Sequence, residues 1–466
     1  MASNVLVVLA GIGFLAIVVA GLSWQRLIWA VMVLLVCEGA LRKALPGLQA
    51  QLYLVKDGIL VCAYTKFLVS RAPSMQKNSI FTGLWIWLLL TSAYCILQLM
   101  NPNSPSIVLT IIGLKNYLLY MPLAFLVPYL FTAPADLENK LRKYAVLMMP
   151  FAALGLVQIA FGPDHWLNST LSYDDESLQQ ASQFGTDEFV KARTTGSFSY
   201  IGGYVTFLTI MFYLTIGLIV ARKWEVRGNR LLIAVLTVTL AAMFTTGSRT
   251  PFFGLTVTAP ILFWIWSVKG LISTRQLLRA VALCVLVLTV VQFIAPAAIE
   301  AYNYRAGAAQ DMTERLLSPF SELYGAFVTS PIIGFGMGSA HSSSYSIMQT
   351  TDIWWLQGNM YEIETARVLQ ETGVVGFILI YGCRIWLLVK AISLAMRFRT
   401  PLFITLSSVI AGFFFQYLYL FVVNNPTAGI YYWFSAGLLL AMSGLESQRL
   451  VVRERNAALR LSTLPG

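Results

Sequence analysis

Nine basic side chains in this sequence carry the prospect of chemistry: Arg42, Lys43, Lys115, Arg193, Arg249, Arg305, Arg315, Arg367 and His341. Most of the chain is long apolar runs, and the short connections at one side of those runs hold most of the remaining Lys and Arg. An excess of Lys and Arg in short loops marks the cytoplasmic side of a membrane protein. The nine fall on or near the other side, where topology does not favour positive charge. Cations gathered there predict an anionic ligand at the outer face.

The sharpest of these residues is Arg249, in FTTGSRTPFFG (244–254). This segment joins two apolar runs with almost no loop, and charge at membrane depth is costly enough to mark a site. Gly247 and Ser248 suit a tight turn with free amides. Pro251 suits a helix start, where its missing N–H is no loss. A second segment, KARTTGSFSYIGGY (191–204), puts Arg193 before Gly196 and Ser197 at an expected helix start, where amides and a guanidinium together favour an anion. An interfacial Arg that reaches toward headgroups is the competing reading. In PIIGFGMGSAHSSSY (331–345), Gly334, Gly336 and Gly338 let a backbone approach something closely, and His341 can act as a base near neutral pH. His165 is the weaker histidine.

Glu364, Arg367 and Glu371 share a helix face by their spacing. They can pair structurally, or Glu362 or Glu364 can do acid–base work. CEGALRK (37–43) sets Glu38, Arg42 and Lys43 at an outer helix end. Lys115 lies about two turns inside an outer span end, a functional position by default.

The elements that position these groups are helices in a bilayer. Mean hydropathy is +0.71, and 11% of residues are charged, against about 25% in soluble domains. Continuous rather than alternating apolar runs exclude a β-barrel. The net charge of +11 sits largely in loops and tail, where it orients the chain and meets anionic lipid; it does not indicate nucleic acid. The five cysteines lie inside apolar runs without a CxxC pair, as small buried hydrophobes do. No acidic metal motif is evident, and no cofactor is implied.

Taking about 20 apolar residues per span, the chain reads as one all-α polytopic domain over 1–466 with about 13 spans. They fall near 4–22, 27–41, 52–70, 80–99, 106–131, 144–161, 200–221, 231–246, 251–268, 280–297, 368–391, 402–422 and 428–445. Segment 4–22 reads as a spanning helix, not a removed signal peptide. The basic connections 222–230, 269–279 and 395–400 and the tail 446–466 then share the cytoplasmic side. Two long loops, 162–199 and 298–367, lie outside. The second is rich in aromatics, which disordered segments lack, and helices are predicted near 311–329 and 358–372. The count puts the N-terminus outside, and the short second span leaves that orientation open.

ARTTGSF before one span, the GSRTPF turn, GFGMGS followed by His341, and ETARVLQETGVVG together resemble the O-antigen ligase and O-antigen polymerase superfamily. The resemblance is strongest over about 190–380, and EGALRK is similar to the N-terminal part of exopolysaccharide polymerases of this group. It implies a GT-C-type transmembrane architecture with a helical extracytoplasmic loop over the active site, in the bacterial inner membrane and facing the periplasm. It implies an inverting, metal-independent transfer of glycan from an undecaprenyl pyrophosphate donor. Arg193 and Arg249 match the pyrophosphate-binding arginines, and His341 matches the histidine that serves the acceptor hydroxyl. Glu364 is the alternative catalytic group. Arg42, Lys43, Lys115, Arg367, Ser248 and Gly338 complete the expected binding set.

A polymerase, joining lipid-linked repeat units, is favoured by the two outer loops and by EGALRK and RVLQETG. A ligase, moving finished glycan onto lipid A–core, is favoured by His341. A chain-length regulator protein is an expected partner of a polymerase. A transporter is the reading of another class, but no repeated halves or paired interrupted spans are visible.

Overall fold

The computed structural model describes residues 20–70, 79–161, 165–168, 183–184, 191–222, 226–273, 309–340 and 361–462, with isolated residues between 275 and 289. Among them the regular structure is helical apart from a two-residue antiparallel ladder, β1 (Gln183–Phe184) with β2 (Lys191–Ala192). Among the described residues seven helical segments are long and apolar enough to cross a membrane, which makes this an α-helical membrane protein. A helix satisfies every backbone polar group within itself, which hydrocarbon demands. Most of the expected spans 4–22 and 280–297 lies outside the described residues.

The helices run in order as α1 (Trp24–Ala44), α2 (Gln49–Val69), α3 (Ser79–Leu97), α4 (Ile107–Leu118), α5 (Pro134–Gln158), α6 (Ile201–Ala221), α7 (Val226–Thr245), α8 (Thr250–Val268), α9 (Ala309–Thr329), α10 (Glu364–Arg397), α11 (Pro401–Gln416) and α12 (Pro426–Ser462). Pro134, Pro401 and Pro426 open their helices, and Pro251 stands second in α8. At these places the missing N–H has no intrahelical partner to lose. α12 is the central post: 94% of its most apolar window is buried, against 28% for α3. The outward row of α3, including Trp85, Leu89 and Ile96, is more than half exposed, as a lipid-facing row is.

Two ends of the bundle are chemically distinct. At the basic end Arg222 pairs with Glu138, Arg142 donates to the Gly228 carbonyl at 2.7 Å, and Lys269 donates to the Met396 and Phe398 carbonyls. Glu446 on α12 accepts from Arg399 N–H at 3.0 Å and from the Thr400 hydroxyl at 2.7 Å. The opposite end gathers the C-termini of α1, α7 and α11 with the N-termini of α6, α8 and α10.

Several boundaries differ from the sequence reading, each for a local reason. The short second span is a full helix of 21 residues, with Ser23 accepting from Arg26 N–H as its N-cap. The span expected at 106–131 is present over Ile107–Leu130, but it is irregular past α4, passing through a turn into a short helix at Leu123–Leu126 and a 3-10 turn at Val127–Leu130, with Pro122 and Pro128 at the irregular places. The span expected to reach 422 stops at Gln416. The apolar stretch beyond it is a loop, held by a buried carboxylate as described below. The helix expected near 358–372 begins at Glu364 and merges into the next span across Gly373, which has φ +66° and is not helical.

Candidate functional site at the end opposite the basic loops

Segment 193–199 is the hub where the sequence-selected cations meet. The Arg193 Nε donates to the Thr246 carbonyl at 3.3 Å. Thr194 N–H donates to the Thr245 carbonyl at 3.3 Å, and the two threonine hydroxyls lie 2.7 Å apart. Arg193 is thereby fastened to the turn that carries Ser248 and Arg249. From α1, Lys43 Nζ reaches the Thr195 hydroxyl at 3.0 Å and Arg42 Nη1 reaches the Ser199 hydroxyl at 3.2 Å. Ser197 donates to the Val36 carbonyl at 2.6 Å. Gly39 completes the seam, because a Cβ there would collide with the backbone of Phe198 and Ser199. Four of the expected binding residues, Arg42, Lys43, Arg193 and Arg249, are therefore assembled from three distant parts of the chain.

The same geometry corrects two expectations. α6 begins at Ile201, so Gly196 and Ser197 lie in a turn and not at a helix start. The Gly196 N–H, at φ +56°, is used by Gln158 Oε1 at 2.7 Å. The amides of the GSR turn are not free either. Gly247 N–H donates to the Phe244 carbonyl at 3.3 Å, and Ser248 N–H to the Thr246 hydroxyl at 3.1 Å. These N–H groups hold the turn itself. Arg249 itself is the N-cap residue of α8 and is half-buried.

Next to this hub lies a cluster that the sequence reading caught only at Glu38, Arg42 and Lys115. Lys56 Nζ pairs with Glu38 Oε2 at 2.8 Å, and Arg42 Nη1 lies 3.6 Å from Glu38 Oε1. Lys115 Nζ pairs with Asp57 Oδ2 at 2.6 Å, while the Tyr120 hydroxyl donates to Asp57 Oδ1 at 2.8 Å. The Tyr53 ring is the common floor: Lys56 Nζ, Lys115 Nζ and Arg42 Cζ stand 3.9, 4.6 and 5.3 Å from its centroid. Cations are attracted to a ring face at such distances. The signal for the missed pair was present, since Lys56 and Asp57 are adjacent charges inside an apolar run, a rare and costly placement.

The remaining expected site residues form a separate polar group on α10. Glu364 is fully buried. It pairs with Arg384 and accepts from the Val422 N–H and, at 3.1 Å, the Val423 N–H. Arg384 in turn lies over the Tyr381 ring, 4.8 Å from its centroid. Glu364 is thus the tether of the α11–α12 loop. Arg367 donates to the Tyr361 carbonyl and lies 5.1 Å from the Phe421 ring centroid. Glu371 accepts from the Tyr117 hydroxyl at 2.8 Å and from Ala340 N–H at 3.0 Å. The face shared by Glu364, Arg367 and Glu371 is real, but Glu364 and Glu371 each bond outward to other elements.

The glycine-rich turn is packed against protein and is not an open cradle. Gly334, Gly336 and Gly338 have φ of +75°, +94° and +80°. A Cβ on Gly334 would stand 2.5 Å from the Glu371 carbonyl oxygen, one on Gly336 would meet Ser104, and one on Gly338 would collide with the Leu109 carbonyl. What the backbone approaches so closely is α4 and the Gly373 break in α10. His341 and Arg305 lie outside the described residues. Arg315 lies in α9. His165 stacks on Phe161 at 4.3 Å and accepts from Leu167 N–H at 3.3 Å, a local structural role. Among the described residues, no three His, Cys, Asp or Glu side chains gather as a metal-binding group.

Comparison with protein-family models, with curated proteins and with solved structures finds no match to this chain.

Proposed function

We propose that this chain is a polyprenyl-diphosphate-linked glycan transferase, and within that class a polymerase of lipid-linked oligosaccharide repeat units. The observation that supports it most is the docking of three motifs of the sequence resemblance on one another. EGALRK supplies Arg42 and Lys43, ARTTGSF supplies Arg193 and their partners Thr195 and Ser199, and the GSRTPF turn supplies Arg249. Motifs about 150 and 50 residues apart in the chain would not need to meet if each were only a membrane-surface cation.

In this reading the donor pyrophosphate lies against Arg193 and Arg249. An acceptor hydroxyl attacks the anomeric carbon, the glycosidic C–O bond breaks with inversion, and the pyrophosphate leaves with the bonding pair. Charge grows on the leaving oxygen as that bond breaks. Fixed cations aimed at it lower the barrier, the largest kind of catalytic contribution. Arg can take two phosphate oxygens in one planar fork. Arg42 and Lys43 extend the positive surface, and the paired cluster around Tyr53 holds their helix in place. Glu364 is occupied by Arg384 and two amides, so the hydroxyl's proton is assigned to His341, on the strength of the resemblance. The site faces the periplasm, the basic loops and C-terminal tail face the cytoplasm, and the full span count is about 13. The acceptor is a second lipid-linked repeat, and a chain-length regulator is the expected protein partner.

The test is mass analysis of glycans from cells lacking this chain. Accumulated single lipid-linked repeats are expected. Long lipid-linked chains that never reach lipid A–core would instead assign the ligase reaction, and unchanged glycans would reject the class.

A further inference from the structure

We infer that α9 is an in-plane helix whose outward face is seated in the membrane, docked on lipid rather than on protein. The helix has two opposed stripes. One packs inward: Glu322 accepts from Ile363 N–H at 2.9 Å, Ala326 is buried against Ala366 and Leu369, and the Thr329 hydroxyl lies 3.2 Å from that of Tyr361. The other stripe is Leu317, Phe320, Tyr324, Phe327 and Val328. These residues recur every three or four positions and so share one face. Each is between 58% and 72% exposed. At 100° per residue the two stripes lie about 170° apart, so the apolar one points directly away from the bundle.

What covers it follows from the surface it continues. Beyond the helix, Ile332 is also largely exposed, and its carbonyl accepts from Val374 N–H at 3.0 Å. That contact lays Ile332 beside the start of the outward row of α10, Val375, Ile378, Ile385 and Val389, all substantially exposed. α10 is one of the seven helices fit to span a bilayer, and this row is its lipid-facing side. The stripe of α9 therefore extends a hydrocarbon-facing surface without a break. Tyr324 among Phe and Leu is the composition favoured where a ring sits at headgroup level. A helix with one apolar and one polar face, lying against a membrane domain, binds the interface in this way. A second copy of the chain is the competing occupant.

The test uses the full chain with its five cysteines replaced, in vesicles of phosphatidylethanolamine and phosphatidylglycerol. Nitroxides are attached at Phe320→Cys and Tyr324→Cys, with Ile385→Cys as the lipid-facing reference and Ser318→Cys as the flank. The expected result is collision with oxygen over a water-soluble nickel chelate at 320 and 324, as at 385, and the reverse at 318. Free nickel access at 320 and 324 would overturn the inference. So would dipolar broadening between labels at 320 that vanishes on dilution with unlabelled chain, which would mean a second copy covers the face. Hydroxyl-radical footprinting of the unsubstituted protein in the same vesicles gives an answer without any variant. Phe320 and Tyr324 should be as protected as lipid-facing Trp85 and Trp264, and strong oxidation there would sink the proposal.

Discussion

Arg193 is fastened to the carbonyl of Thr246, 3.3 Å from its Nε, three residues before Arg249. The bond makes the two arginines parts of one structure, although 56 positions separate them in the chain. The donors of an arginine form a rigid planar fork, so a bond at Nε fixes the plane of the whole group.

Arg249→Ala is expected to lower glycan transfer by at least about 100-fold while membrane expression is unchanged. Arg249→Lys should restore only part, because an ammonium cannot bridge two phosphate oxygens. Arg193→Ala should be milder in transfer and should also loosen the turn. Arg397→Ala, exposed at the basic end, is the control and should be silent. Glycan laddering in cells beside quantified expression reads all four. Wild-type ladders from well-expressed Arg249→Ala would remove the pyrophosphate role.

Asp57 holds both Lys115 and Tyr120, so its loss takes the carboxylate from a partly buried cation. Asp57→Ala should therefore cost thermal stability, though less than the roughly 3–5 kcal/mol of a fully buried pair, because the Lys115 side chain is 22% exposed. Asp57→Ala with Lys115→Met should recover most of it, since removing both charges strands neither. Thermal unfolding in detergent measures the cycle. With Lys115→Met alone as the second single variant, a double-variant loss equal to the sum of the two single losses would mean that the two residues are not coupled.

Gly338→Ala is expected to damage folding and not merely binding. The position needs φ near +80°, which costs a residue with a Cβ about 1–3 kcal/mol, and the Cβ would also meet the Leu109 carbonyl. Reduced yield of monodisperse protein should accompany any loss of transfer. A fully stable Gly338→Ala with impaired donor binding would return the turn to the ligand-cradle role expected of its sequence.

Helix positions and the cation-bearing end were legible in the sequence because both follow from hydropathy and charge, which act locally. The turn at Gly247–Arg249 was legible for the same reason. Where each polar group spends its hydrogen bonds was not, because that is decided by partners far along the chain. Gly196 N–H looks available until Gln158 is brought beside it. Tyr417–Val423 reads as the end of a span until Glu364, from another helix, is seen to take its amides. Lys56 and Asp57 were visible as charges in an apolar run, but their joining to Glu38 and Lys115 needed the packing of α1, α2 and α4.

Glu364 and His341 are the two candidates for the base in the proposed transfer, and the buried pair of Glu364 with Arg384 supplies the means to separate them. A carboxylate that only tethers a loop should be replaceable along with its partner. Arg384→Met alone leaves a buried, unpaired carboxylate and should cost about 3–5 kcal/mol. Glu364→Gln with Arg384→Met should regain stability, with the amide still able to accept from Val422 and Val423, and should regain transfer in proportion. His341→Ala, in contrast, should lower turnover by about 10²–10⁴-fold with lipid-linked donor binding near normal. The readings are thermal stability, donor binding and single-turnover transfer on the same preparations. A stable Glu364→Gln/Arg384→Met protein without transfer, beside a fully active His341→Ala, would make Glu364 the base and end its assignment as a tether.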